Sequence, residues 1–241
     1  MTPEQAAHDL ASVVLGVPGR FMTDPTTFAQ GAKLGFEGMD FYIAGRGGAL
    51  GEVDADVVTA ALVFIAADVV RPAWDRSAGV MARRRAAEEW SACGHRWAEE
   101  HFGDGPDYAR FADLLGRVVR EASPACAPLF AAVRSLPEPP EALPLAQHRL
   151  NDVRELRGAL HGAAILTVGL SPIEAVTVRS PAVASLFGWA EPLPDADPLR
   201  DRWALAEART DRMVGRHLAV LDAAERAELV DIGLAIAAAL A

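Results

Sequence analysis

Four prolines fall within ten residues of this chain, in the stretch SLPEPPEALP at 135–144. Proline has no amide hydrogen to donate and its ring clashes with the preceding helical turn, so no continuous helix crosses such a stretch. The sequence on either side reads as helix almost throughout, which makes this interruption the main constraint on the fold. It is expected to be a linker over 137–146, joining an N-terminal helical domain (1–136) to a second helical domain (147–241). A length of 241 residues leaves room for two small domains.

The helical reading rests on spacing and caps. Residues 3–15 place Ala6, Leu10, Val13 and Val14 on one helical face. Asp24-Pro25 has the N-cap-then-N1 order and opens a helix carrying Phe28 and Ala32. Asp54 is expected to cap a helix through Val57, Val58, Ala61, Leu62 and Ile65. Arg71-Pro72 is expected to begin a segment that continues through Trp74 and an arginine run to Trp90 and Trp97. Beyond the prolines, LAQHRLNDVRELRGALHGAAIL predicts a long helix that stops at Gly169. Ser171-Pro172-Ile173-Glu174 then has capping-box spacing, so two helices joined by a Gly-Leu-Ser turn form a helix-turn-helix-like unit. A loop over 188–201 and two more helices follow, the last capped by Asp222 and Glu225. Its apolar stripe of Leu221, Leu229, Ile232 and Ile236 is expected to serve a homodimer. Strand-like alternation is scarce, and the expected fold class is mainly α.

Charge and cysteine content exclude several functions. Acidic residues outnumber basic ones by 33 to 23, and both sides of residue 140 are acidic, which disfavours nonspecific nucleic-acid binding. Cys93 and Cys126 have no neighbouring cysteine, so neither a disulfide framework nor a four-cysteine zinc site is expected. The N-terminus MTPEQAAHDL lacks the basic and apolar regions of a secretory signal, and the apolar run from Ile232 to Ala241 is too short to span a bilayer. A cytoplasmic protein without a membrane partner is the expectation.

Several stretches invite a chemical reading. GRGGALG at 45–51 lacks the Lys-Ser/Thr ending of a phosphate-binding loop, and its glycines are expected to let the chain turn into the helix capped by Asp54. Arg46 lies between two of them, either as a surface residue or as an anion-binding group facing a cavity. Cys93-Gly94-His95 with His101 fits no zinc spacing, so no metal site is expected, and no cofactor is assigned. Trp74, Trp90 and Trp97 read as core or interface anchors. Arg83, Arg84 and Arg85 precede Glu88 and Glu89, the pattern of an ion-paired, solvated face. His161 follows Arg157 by four residues and shares its helical face, either as a satisfied core histidine or as part of a polar, anion-binding spot. An imidazole there is expected to change state near neutral pH.

Taken together, FYIAGRGGALGEVDADVVTAAL, the Arg71–Trp74 segment and RELRGALHGAAILTVGLSPIEAV resemble an actinobacterial family of helix-turn-helix-like proteins, often compared with MarR-type regulators in the C-terminal part. The matching positions are Tyr42, Arg46, Leu50, Gly51, Val53, Ala55, Val57, Val58, Trp74, Arg157, Gly158, His161, Gly169, Leu170, Glu174 and Ala175. The likeness fades after Glu174, where the wing expected of such proteins is short and acidic, with Glu191, Asp195, Asp197 and Asp201. The resemblance implies a helix-turn-helix, winged-helix-like fold. The leading expectation is a small-molecule-binding protein, an enzyme of specialised metabolism or a ligand sensor. Its ligand would sit between the domains, lined by Tyr42, Arg46, Trp74, Arg157 and His161. If the site is catalytic, His161 is the acid–base candidate and Arg46 the electrostatic stabiliser. The alternative is a ligand-responsive transcriptional regulator that places Ser171–Arg179 in the DNA major groove. Only four arginines against three acids between 147 and 179 speak against it. A third class is a protein-interaction scaffold without a ligand.

Overall fold

Asp24 ends one helix and begins the next: its amide donates to the carbonyl of Phe21 at 3.3 Å, and its carboxylate accepts from the amide of Thr26 at 2.8 Å. Local punctuation of this kind sets much of the chain. The computed structural model describes residues 1–240, so Ala241, the last residue of the expected second domain, lies outside the described residues. Among the described residues there are twelve α-helices and no strand. In order they are α1 (Pro3–Thr23), α2 (Pro25–Leu34), α3 (Asp40–Gly47), α4 (Ala55–Leu62), α5 (Ala67–Ser77), α6 (Arg83–His101), α7 (Tyr108–Glu121), α8 (Pro128–Val133), α9 (Ala142–Thr167), α10 (Pro172–Arg179), α11 (Arg200–Leu218) and α12 (Ala223–Ala239). The mainly α reading therefore holds.

The long helix α9 is the axis of the fold, and α1, α6, α7, α8 and α11 pack around it. It buries Leu150, Val153, Leu156, Leu160 and Ile165, yet also Gln147, His148, Asp152, Glu155, Arg157 and His161. A helix enclosed on all sides carries no wet face, so each of these polar groups needs a partner inside the protein.

The core does not divide at the prolines. One hydrophobic cluster takes Val14, Phe41, Trp90 and Leu115 from before them and Leu150, Leu156, Leu218 and Leu229 from after them. The expected linker over 137–146 is accordingly a loop followed by the start of α9. Pro144 lies in the first turn of that helix, where backbone amides have no intrahelical acceptor to lose. A small second cluster, with Ile165, Leu170, Ala175, Leu199 and Ala206, holds the junction of α9, α10 and α11.

Two local expectations are corrected. The Arg71-Pro72 pair does not start a helix: α5 begins at Ala67 with Pro72 inside it, and residues 78–82 separate it from α6. The apolar stripe of the last helix does not wait for a second copy. Leu221, Leu229 and Ile236 are fully buried in the chain's own fold, with α12 lying on α1 and α7.

The helix-turn-helix unit forms as its caps dictate. Gly169 adopts φ 75°, and α9 and α10 meet at 112°. Ser171 Oγ accepts from the amide of Glu174, and Glu174 Oε2 accepts from the amide of Ser171 at 2.7 Å. Where a wing would stand, residues 180–199 form turns and two short 3₁₀ helices. This segment folds back over the α4–α5 connection. The amide of Ala66 donates to Phe187 O at 2.8 Å, and the Trp189 indole donates to Phe64 O at 2.9 Å.

Candidate functional site

Arg154, Arg157, Gly158 and His161 follow one another along α9 at helical spacing and face a cavity of about 230 Å³. Tyr42 and Arg46 of α3 stand opposite, Leu62, Phe64 and Ile65 close one side, and Val176 and Arg179 of α10 close another. Trp203 and Glu207 of α11 and Phe187 of the returning segment complete the wall. The cavity is thus lined from both sides of the proline-rich loop.

Arg46 is buried and committed to Glu155. Its Nη2 donates to Glu155 Oε2 at 2.8 Å and its Nε to Oε1 at 3.2 Å. A second arginine shares that carboxylate, Arg154 Nη1 donating to Oε1 at 2.9 Å. Burial works against the charged carboxyl, but the two guanidiniums outweigh it and hold Glu155 below the usual carboxylate range. Arg46 Nη1 also donates to the Tyr42 hydroxyl at 2.9 Å, which leaves the hydroxyl's own proton to be donated elsewhere. Arg46 thus lines the cavity while holding Tyr42 and Glu155.

Arg157 is more deeply buried, its side chain 3% exposed, and its Nη2 donates to Glu207 Oε2 at 2.7 Å. His161 Nδ1 faces two oxygens, Thr210 Oγ1 at 3.0 Å and Glu207 Oε1 at 3.5 Å. Thr210 gives its own proton to the carbonyl of Ala206 at 2.8 Å, so its oxygen accepts and Nδ1 of His161 carries the hydrogen. The lone pair is then on Nε2. Burial lowers the His161 pKa to about 4, so the imidazole is neutral at pH 7 and does not change state near neutrality as the sequence had suggested. Its ring is held edge-on to Trp203 at 5.0 Å and tilted against Phe64 at 5.8 Å.

Phe64 owes its place to a strained turn. Val63 has φ 51°, and the amide of Phe64 donates to Leu62 O at 2.5 Å, a tight γ-turn of the rarer hand. A β-branched residue there is costly. It stops α4 at Leu62 and aims Leu62, Phe64 and Ile65 at the cavity. Asp54 stands at the N-cap of α4 but makes no side-chain cap hydrogen bond.

Trp74, expected in this lining, is not there. Its indole donates to Val53 O at 2.9 Å, and the Arg83 guanidinium lies 3.6 Å above its ring. It is a satisfied core residue that anchors the loop before α4. Arg83 is therefore buried against it rather than on a solvated face, while Arg84 and Arg85 do pair outward with Glu88 and Glu89. The glycines of GRGGALG also differ from expectation, because Gly45 and Gly47 lie within α3 and only Gly51 has positive φ. A Cβ at Gly48 would stand 2.1 Å from the Arg83 carbonyl, so close approach to α6 requires that glycine.

Cys93, His95 and His101 do not converge. Cys93 accepts from Arg96, His101 stacks on Trp97, and His95 meets His148 at 3.1 Å between Nε2 and Nδ1. Among the described residues, no group of three or more His, Cys, Asp or Glu is placed to hold a metal ion, and no single helix is long and apolar enough to cross a membrane.

The sequence missed Arg154, Glu155, Arg179, Trp203 and Glu207. Arg154 had a signal, since it repeats with Arg157, Gly158 and His161 at intervals of three, one and three. The carboxylates had none, because Glu155 meets Arg46, and Glu207 meets Arg157, across long sequence separations.

This arrangement and the angled α9–α10 pair are the setting for the comparison with known proteins. A family model described as "Helix-turn-helix family" matches residues 10–202, well over half of the chain. The protein belongs to that helix-turn-helix family. No curated protein and no solved structure matches it.

Proposed function

We propose that the chain is a small-molecule-binding protein built on a helix-turn-helix fold, with the cavity between α3, α9, α10 and α11 as its ligand site. One observation carries the reading. Gly158 sits in the middle of a 26-residue helix, lines the cavity, and has no atom within 4 Å of where a Cβ would be. Glycine in a helix interior costs about 1 kcal/mol relative to alanine, and here no neighbour requires it. What it leaves is open space beside Tyr42, Arg157 and His161. Apolar walls with a few convergent polar groups are the ordinary make-up of a ligand pocket.

Within this reading the protein is an enzyme of specialised metabolism or a sensor. The sensor fits the geometry better. A neutral His161 with a pKa near 4 is a hydrogen-bond acceptor first and a poor match for general acid–base work at pH 7. Native mass spectrometry of the purified protein tests the ligand site directly: a small molecule should be retained, and should be absent from a Gly158→Leu variant.

The second reading, a MarR-like DNA-binding regulator, is favoured by the family and by a run of arginines on α11. Arg202, Arg209, Arg212 and Arg216 recur at intervals of seven, three and four in a chain of net charge −10. Against α10 as a recognition helix, its residues from Pro172 to Val178 are buried or half-buried, and only Arg179 is exposed. Gel shifts at physiological salt decide: tight, salt-sensitive binding to arbitrary duplex would favour the regulator. A homodimer is compatible with either reading.

A further inference from the structure

We propose that the ligand of this cavity is a small carboxylate on an aromatic or branched apolar skeleton, an inference that rests on the cavity being a ligand site. The walls supply the apolar half through Leu62, Phe64, Ile65, Val176, Phe187 and Trp203. The charge supplies the other half. Four arginines line the cavity, Arg46, Arg154, Arg157 and Arg179, against Glu207 on the wall and Glu155 behind it. Four cations against two anions leave a positive excess, which persists when Asp211, shared with His8 at 3.0 Å, is counted as a third anion. An excess of cations inside an acidic protein is a setting for an anion.

The donors are distributed unevenly, and this fixes the roles. Arg46 is tied up by Glu155 and Tyr42, so it is a positioning residue. Arg157 uses Nη2 on Glu207, while its Nε is buried without a partner. Arg154 uses Nη1 on Glu155, and its Nε is likewise buried without a partner. Among the described residues Arg179 makes no ion pair and stands exposed at the rim. Buried guanidinium donors without acceptors are costly. The donor fork free to meet a ligand is that of Arg179 at the rim, and a planar carboxylate matches it, accepting two parallel hydrogen bonds that a protonated amine cannot accept. The free proton of the Tyr42 hydroxyl adds a neutral donor on the facing wall.

Intrinsic tryptophan fluorescence, to which Trp203 in the cavity wall contributes, and isothermal calorimetry read binding of three probes of similar shape: 3-phenylpropionate, 3-phenylpropionamide and phenethylamine. The carboxylate should bind at least about tenfold more tightly than the amide, the scale of one charge-assisted hydrogen bond, and the amine should not bind. Arg179→Gln, at an exposed position where folding is not at stake, should weaken the carboxylate several-fold and leave the amide unchanged. Gly158→Leu should abolish binding of the carboxylate. Equal or tighter binding of the amide or amine would overturn the carboxylate assignment while leaving the ligand site standing. Absence of binding by all three would overturn it too, and the native mass spectrum would still report on the site separately. Carboxylate binding that survives Gly158→Leu would place the anion elsewhere and overturn it as well.

Discussion

Arg46 and Glu155 form a bidentate ion pair, 2.8 Å at its shortest, that bolts α3 to the middle of α9 across 109 positions of sequence. Both side chains are almost entirely enclosed, at 12% and 4% exposure. The pair holds the wall of the cavity in place and directs Arg46 Nη1 onto the Tyr42 hydroxyl.

Removing Arg46 leaves the buried Glu155 carboxylate with Arg154 as its remaining counterion. Arg46→Ala should therefore lower stability by about 3 kcal/mol, the lower end of the range for breaking a buried pair, because Arg154 still faces the carboxylate. Arg46→Met with Glu155→Leu should cost less than the sum of the single changes, because neither member of the pair is then left facing the other's empty place. Urea unfolding of the single and double variants gives both numbers. Equal losses in the sum and the double variant would show that the pair is not coupled.

Two glycines in this region should respond in opposite ways. Gly158→Ala should stabilise α9 by about 0.5–1 kcal/mol, since alanine is the better helix former and space is open at the site. Gly48→Ala should destabilise the protein by more than about 2 kcal/mol, because its Cβ would collide with the Arg83 carbonyl. Thermal unfolding of the two variants checks the sign of each. A destabilised Gly158→Ala would mean that the helix, not the cavity, requires glycine there.

What could be read in the sequence was what short-range chemistry decides. Asp24-Pro25, Ser171 with Glu174, Gly169, and Asp222 with Glu225 all formed the caps that their spacing announced, since each bond closes within a few residues. Pro72 misled because proline most often begins a helix, whereas here the packing of Val70, Ala73 and Trp74 carries α5 through it. The γ-turn at Val63 could not be foreseen, because nothing local favours a valine at positive φ. In the site, Tyr42, Arg46, Arg157 and His161 stood out as polar groups in glycine-rich or apolar surroundings, and they do share one cavity. Trp74 stood out for its size, which is also what makes a core anchor. The roles of Arg46 and Arg157 depended on Glu155 and Glu207, and long-range partners leave no spacing to read.

The buried histidines predict a stability profile against pH. Burial lowers His95, His148 and His161 to about 4, so the unfolded chain binds protons between roughly pH 6.5 and 4 that the folded chain does not. Their contribution is complete above the unfolded pKa and is lost as pH falls through that window. Asp152 works oppositely, its carboxyl held well above the usual range first by burial and then by nearby carboxylates. Chemical denaturation at pH 7, 6, 5 and 4 should show falling stability. His161→Gln should flatten the profile, and an unchanged slope in that variant would mean that His161 is charged in the folded protein.

The last helix should behave as core. Leu229 is fully buried against the chain itself, so Leu229→Ala should cost about 2–5 kcal/mol. That loss should be the same at low and at high protein concentration. A loss that changes with protein concentration would place that stripe in an interface between copies.

The ligand site itself is tested most directly by native mass spectrometry of the wild type and of Gly158→Leu after exposure to a mixed extract of small metabolites. The wild type should carry a low-mass species that is released on denaturation, and the variant, folded to the same extent by circular dichroism, should carry none. A bare wild type, or the same adduct on both proteins, would contradict the assignment of this cavity as the functional site.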